Sequence, residues 1–158
     1  MFSSSIDTLH RVAYRMAYPV WQFYLRQFQT RTQGAQVALW SNNRLLLIRN
    51  SYRSEYAFPG GYLKRAEDTA RAARRELREE TGLAVEIDQL AFSSAWTHTY
   101  GRSVGHDDLF ECRLDKPPAI NIDNREVIEA RFVTRQEALT LPFETHVVQY
   151  LSERQRDH

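Results

Sequence analysis

The chain opens on a helical rhythm. Ile6, Leu9, Ala13, Met16, Val20 and Phe23 recur at steps of three and four, with Arg11, Arg15 and Arg26 mostly off that stripe. The pattern predicts an amphipathic helix over roughly the first 30 residues. Pro19 sits inside it; lacking an N–H and clashing with the preceding turn, it is expected to kink or divide the helix. From Gly34 the period shortens to two. Gln36–Trp40 and Arg44–Arg49 flank the turn formers Ser41-Asn42-Asn43, which reads as a hairpin. A loop over Ser51–Tyr56 leads into Phe58-Pro59-Gly60-Gly61. A helix is then predicted from about Asp68 to Thr81, closed by Gly82 as a left-handed residue. Further strands are expected near 84–87, 90–99, 107–113 and 127–133, and Pro117-Pro118 marks a loop. The segment Phe143–Glu153 reads as a last helix, with Val147, Val148 and Leu151 on one side. Mixed strands with a central and a terminal helix predict a layered α/β domain over residues 34–158, behind a helical extension over residues 1–33.

Composition narrows the classes. At 158 residues, 42% hydrophobic and 26% charged, the chain suits one packed domain. A net charge of +1 argues against a protein that coats a nucleic-acid polymer. The longest apolar runs, Val37–Trp40 and Leu45–Ile48, are too short to span a bilayer. Cys112 is the single cysteine, which excludes an internal disulfide and a multi-cysteine zinc site. Residues 1–54 hold seven arginines against one acid, Asp7. Three readings of the N-terminal segment follow: a helix packed on the domain or on a second subunit of a homodimer, a basic aromatic helix on an anionic membrane surface, or an organellar presequence. His10, Arg11 and Arg15 interrupt any secretory signal, and cytoplasm is the expected location.

The stretch Gly60–Leu83 carries the chemistry. On a helix, placing Glu76 at zero puts Glu80 at about +40° and Glu79 at about −60°, so three carboxylates share one face. Ala66, Ala70, Ala73 and Leu77 form an apolar stripe beside them, and Arg71, Arg74 and Arg78 take the solvent side. Acids and bases are sorted here, where a solvated helix interleaves them. Carboxylates about 6 Å apart repel by roughly 2–3 kcal/mol per pair at an effective dielectric near 20. Such a face stays ionised only if cations neutralise it, or else a carboxyl pKa must rise; all-oxygen ligands suit Mg²⁺ or Mn²⁺ ahead of Zn²⁺. Carboxylates, a hard dication and phosphate together suggest phosphoanhydride hydrolysis.

Gly61, five residues, Glu67, seven residues, Arg75-Glu76-Leu77, one residue, Glu79-Glu80, one residue, Gly82-Leu83 resembles the Nudix box at every fixed and both aliphatic positions. The resemblance, which covers about residues 34–155, implies an α/β/α sandwich around a mixed sheet and a nucleotide pyrophosphatase. It implies Mg²⁺ (Mn²⁺ as substitute) on Glu76, Glu79, Glu80 and the Gly61 carbonyl, with Arg75 orienting one glutamate and Glu67 in support. The family's general base varies. Glu126, six residues before Phe132, is the leading candidate for base or further ligand, with Asp107 and Asp108 as rivals and a catalytic box glutamate, Glu79 or Glu80, as the other alternative.

The resemblance further implies a small nucleotide substrate, a nucleoside diphosphate linked to another moiety. Nucleotide sugars, ADP-ribose, dinucleoside polyphosphates and nucleoside triphosphates all remain open. The chain lacks the Pro-Gln-Gly-Gly variant of RNA 5′-pyrophosphohydrolases, and His98 or Thr99 stands where ADP-ribose enzymes often carry a proline. Tyr100 fits the tyrosine of dinucleoside polyphosphate enzymes. Trp96, Tyr100, Tyr56 and Phe58 are candidates to stack a base, and Arg49, Arg53 and Arg102 to hold phosphate. A Nudix-fold module that binds a nucleotide without cleaving it is the alternative.

Overall fold

The computed structural model describes residues 2–138 and 140–154, with side chains from residue 6 onward. The expected domain's last residues, 155–158, lie outside it. The elements are α1 (Phe2–Gln27), β1 (Arg31–Ser41), β2 (Arg44–Asn50), β3 (Gly60–Tyr62), α2 (Thr69–Thr81), β4 (Ala91–Tyr100), β5 (Ser103–Leu114), β6 (Val127–Val133), α3 (Arg135–Ala138) and α4 (Thr145–Glu153). One mixed sheet runs in the order β4-β5-β1-β2-β6, and β3 pairs with β1. β1 and β5 are parallel from Arg31↔Val104 to Ser41↔Leu114. The β1–β2 hairpin is held only at its tip, Trp40↔Leu45 and Ser41↔Arg44, where Asn42 and Asn43 both take positive φ, at 49° and 59°. Beyond the tip β2 leaves β1 for β6, and β3 takes its place against Gly34–Gln36. The sheet therefore splits beside Gly60 and Gly61.

Alternation along β1 loads both faces. Val37 and Leu39 face Ala72, Ala73 and Leu77 of α2, in a core closed by Leu46, Phe110 and Cys112. Ala38 points the other way, toward Val147, Tyr150 and Leu151 of α4 together with Phe58 and Leu109. Two cores, one on each face, make the three-layer sandwich that the sequence predicts.

α2 starts where expected because the Asp68 carboxylate accepts the Arg71 N–H at 2.8 Å as its N-cap. It ends at Gly82, whose φ of 73° and N–H donation to the Arg78 carbonyl close the last turn. Ala66 lies outside the helix with φ 61°, exposed, and so is not part of the apolar stripe. Arg71 pairs with Asp68 at 3.1 Å with both side chains largely in solvent. Arg71→Ala is accordingly expected to shift stability by no more than about 0.5 kcal/mol and to leave turnover unchanged, checked by urea melts and steady-state rates.

Three expectations change. No strand forms at 84–87: Leu83 and Val85 are buried, but the backbone enters a 3₁₀ turn at Ile87–Gln89, capped where the Gln89 side chain accepts the Glu86 N–H. Val148 is exposed while Val147 and Leu151 are buried, because one residue is 100° of helix turn. Pro19 does not divide α1, which runs unbroken through it, and it lies on an exposed side of the helix.

The stripe of α1 is also turned. Ile6, Leu9, Met16, Val20 and Phe23 are exposed, and the helix meets the domain through its other face. There Leu25 is buried, Tyr18 packs at a tilt on Tyr52 with ring centroids 4.7 Å apart, and the Nε atoms of Arg11 and Arg15 donate to the carbonyls of Asn124 and Ser51. Polar and aromatic groups found better partners on the sheet's loop edge than aliphatic ones.

Candidate active site

The split sheet opens a cleft of about 890 Å³. Its floor is α2 and the β3 glycines, one wall is β4 with Asp107, and the other is the loop after β2 with the start of α4. Glu76, Glu79 and Glu80 all line it, as does Glu126 from the turn before β6. The helix spacing thus brings the three box carboxylates to one cavity.

They differ in surroundings. Glu80 is 8% exposed and accepts the Gly60 N–H at 2.8 Å. Burial pushes its carboxyl well above the usual range; the Gly60 and Asn50 hydrogen bonds oppose this, and the charges of Glu76 and Glu126 add to it. Glu76 is raised too, by burial first, with Arg75 pulling it down. Its carboxylate lies against Gly61, where a Cβ would fall 2.7 Å from Oε1, so any larger residue there would push the carboxylate aside. Glu79 stands half in solvent, 3.2 Å from the Arg75 guanidinium and 3.4 Å from Lys64.

Arg75 ties the cluster together. Its Nε and Nη2 donate to the two Glu67 oxygens at 2.9 and 2.8 Å, Nη2 also to the Tyr62 carbonyl at 3.0 Å, and Nη1 to Glu76 at 2.5 Å. The i,i+4 relation to Glu79 was legible in the sequence; the fork onto Glu67 and the contact with the adjacent Glu76 were not. The Arg75 hydrogen bonds hold the Glu67 carboxyl down at about 2. A carboxyl depressed in the folded state stabilises above its unfolded value and loses that contribution as pH falls toward 2. Glu67→Gln is therefore expected to lower the melting temperature at pH 7, with the gap to wild type narrowing steadily below pH 5. A gap independent of pH would exclude the ion pair as its source.

The other sequence candidates separate. Glu126 accepts the Tyr52 hydroxyl at 3.0 Å, and Tyr52 is itself packed against Tyr14 and Tyr18 of α1. Asp107 lines the cleft, its carboxyl raised by burial, with His98 at 3.6 Å opposing that shift. Asp108 pairs with His106 at 3.4 Å and is not among the lining residues. Arg53 and Tyr100 line the cleft; Arg53 pairs with Glu144 and lies over the Tyr18 and Tyr52 rings. Phe58 lines it as well but is mostly core, edge-on to Tyr150. Arg49 is turned away. Its neighbours Ile48 and Asn50 face the cleft, so strand alternation sends Arg49 to Glu129 of β6 at 2.9 Å.

Sequence reasoning missed His146. It stacks on Trp96 with centroids 4.9 Å apart and planes 12° from parallel, and burial lowers its pKa to about 4, helped by the charges of Arg53 and His98. Nothing in the local sequence of α4 marks it, since Trp96 reaches it only across the fold. Among the described residues no three acidic, histidine or cysteine side chains converge on one point. Two box carboxylates are instead held by Arg75 and one by Gly60.

The NUDIX domain profile matches residues 30–152. The chain belongs to the Nudix family. Nudix hydrolase 2 of Arabidopsis thaliana is 32% identical over 90 residues, 56% of this chain and 31% of that one. The chain spans less than half the length of the curated relatives it matches. Among solved structures, a Caenorhabditis elegans Ap4A hydrolase binary complex superposes with a TM-score of 0.66 at 16% identity, covering 79% of this chain and 96% of that one. The Nudix domain of Shewanella oneidensis NrtR complexed with ADP-ribose does so with a TM-score of 0.70 at 16% identity, covering 86% and 97%. At these identities the likeness is one of fold. No helix among the described residues is long and apolar enough to cross a membrane.

Proposed function

We propose that this chain is a Mg²⁺-dependent hydrolase, with Mn²⁺ as substitute, that cleaves a phosphoanhydride bond in a nucleoside diphosphate linked to another moiety. The observation that carries the reading is the pairing of Glu76 and Glu80. Two carboxylates, both raised by burial, face a nucleotide-sized cleft that Glu126 also enters. Neutralising charge is what this set calls for, and all-oxygen donors fit a hard dication. Glu76, Glu79, Glu80 and the Gly61 carbonyl are the atoms to hold it. Bound there, it supplies positive charge to the pyrophosphate oxygens and lowers the pKa of an attacking water.

The remaining roles fall to the chain itself. Arg75 keeps Glu76 and Glu79 oriented from behind. Glu126, fixed by the Tyr52 hydroxyl, is the proton acceptor we favour over Asp107, whose carboxylate is buried near His98. Arg53 and Lys64 bring positive charge to the walls for phosphate. Tyr100 and the parallel Trp96–His146 pair offer flat surfaces for a base, and the low pKa of His146 keeps that ring neutral at pH 7. The likeness in fold to an Ap4A hydrolase and to an ADP-ribose complex supports including both ligand types among the substrates to test.

The test is a hydrolysis panel with Mg²⁺ over nucleoside triphosphates, ADP-ribose, nucleotide sugars and dinucleoside polyphosphates, with Glu80→Gln as control. Turnover of one class, lost in the variant, supports the reading and names the substrate. Nucleotide binding with no turnover of any class would replace it by the binding module.

A further inference from the structure

The outward face of α1 points to a partner. On a helical projection the residues that meet the domain, Tyr14, Tyr18, Trp21 and Leu25 with Asp7, Arg11 and Arg15, occupy an arc of roughly 120°. Directly opposite lie Ile6, Leu9, Ala13, Met16, Val20 and Phe23. Leu9, Met16, Val20 and Phe23 are between 63% and 70% exposed, which is most of each side chain. No charged residue falls within this outer half-cylinder from Ile6 to Phe28.

We infer that this face is the interface with a second copy of the chain. The spacing 3-4-3-4-3 is that of the a and d positions of a heptad, sustained from Ile6 to Phe23. With the neighbouring Val12, the seam exposes on the order of 700 Å² on one molecule, beyond what a monomer usually leaves open and close to one partner's share of a stable interface. A two-fold axis between Tyr14 and Arg15 lays the helices antiparallel. It sets Ile6 against Phe23, Leu9 against Val20 and the small Ala13 against the large Met16, so each layer combines a smaller with a larger side chain. A parallel pairing would stack alanine on alanine and phenylalanine on phenylalanine, leaving layers of unequal thickness.

A lipid surface fits less well. A helix lying on an anionic membrane carries basic residues along its flanks. Here the flanking heptad positions are His10, Val12, Ala17, Pro19, Tyr24 and Arg26, and the Nε atoms of Arg11 and Arg15 are committed to backbone carbonyls of the domain.

The experiment is sedimentation equilibrium of the full chain at micromolar concentration, beside Leu9→Glu/Met16→Glu. The wild type is expected at twice the monomer mass. The double variant is expected to be monomeric, its dissociation constant raised at least 100-fold, with an unchanged circular dichroism spectrum. A wild-type monomer overturns the inference, and sedimentation of that monomer with phosphatidylcholine–phosphatidylglycerol vesicles would put the membrane in its place. A folded double variant that remains dimeric overturns it as well, by locating the interface elsewhere. If the double variant fails to fold, cysteine pairs decide: Leu9→Cys/Val20→Cys is expected to cross-link between molecules under mild oxidation while neither single variant does. The two positions lie about 16 Å apart along one helix, too far to bridge within a chain, and Cys112 is buried. No cross-link in the double cysteine variant overturns the inference; a cross-link in either single variant overturns the antiparallel register.

Discussion

Glu80→Gln is expected to lower turnover about 10²–10⁴-fold while raising the melting temperature measured without divalent metal. Both effects have one origin. The Glu80 carboxylate is buried, faces Glu76 and Glu126, and has its pKa raised well above the ordinary value. A carboxyl raised in the fold contributes best when protonated and loses that contribution as pH climbs through its folded value, so burying its charge costs stability. Glutamine keeps an oxygen to accept the Gly60 N–H and removes the charge. A gain of a few degrees is expected, since about 1 kcal/mol moves a domain of this size by roughly 2–4 °C. Added Mg²⁺ should raise the melting temperature of the wild type and leave that of the variant nearly unchanged. Thermal melts with and without Mg²⁺, run beside rate measurements, check all three points. Retained turnover in both Glu80→Gln and Glu79→Gln would remove the helix face from the chemistry.

Arg75→Ala carries the second large effect, with the opposite sign for stability. The guanidinium serves Glu67, Glu76, Glu79 and the Tyr62 carbonyl, and its side chain is mostly buried against the first two. Removing it leaves two partly buried carboxylates without their cation, which is expected to cost about 3 kcal/mol. It also frees Glu76 to repel Glu80, and turnover should fall about 10–100-fold even at saturating Mg²⁺. Lysine should recover only part of either loss, because a point charge cannot fork onto Glu67 and reach Glu76 at once. Urea melts and rates for the three proteins test this. A variant within 1 kcal/mol of wild type at full turnover would assign the network no structural role.

The two effects differ because charge sorting on α2 has two sides. Three acids at steps of three and one are visible in sequence, as are the Asp68 cap and the Gly82 stop that frame the helix. The depth at which each acid sits is not visible. Glu79 and Glu80 are adjacent in sequence, yet one is half in solvent and the other 8% exposed, since the helix turns 100° between them toward the β3 glycines.

Local pattern therefore determined what is local: the hairpin at Asn42-Asn43, α2 with its ends, strand β6, the shared carboxylate face and the layered α/β class. Each rests on interactions within a few residues, where side-chain period and turn chemistry suffice. Only the tertiary structure decided which face of α1 meets the domain, that 84–87 forms no strand, that Arg49 turns to Glu129, and that His146 stacks on Trp96. Each of these depends on which distant surface offers a better partner. A stripe of aliphatic residues states that a helix has an apolar side, but not whether the domain or another molecule covers it. On α1 the domain had carbonyls and a tyrosine to offer, and the arginines and aromatics took that side.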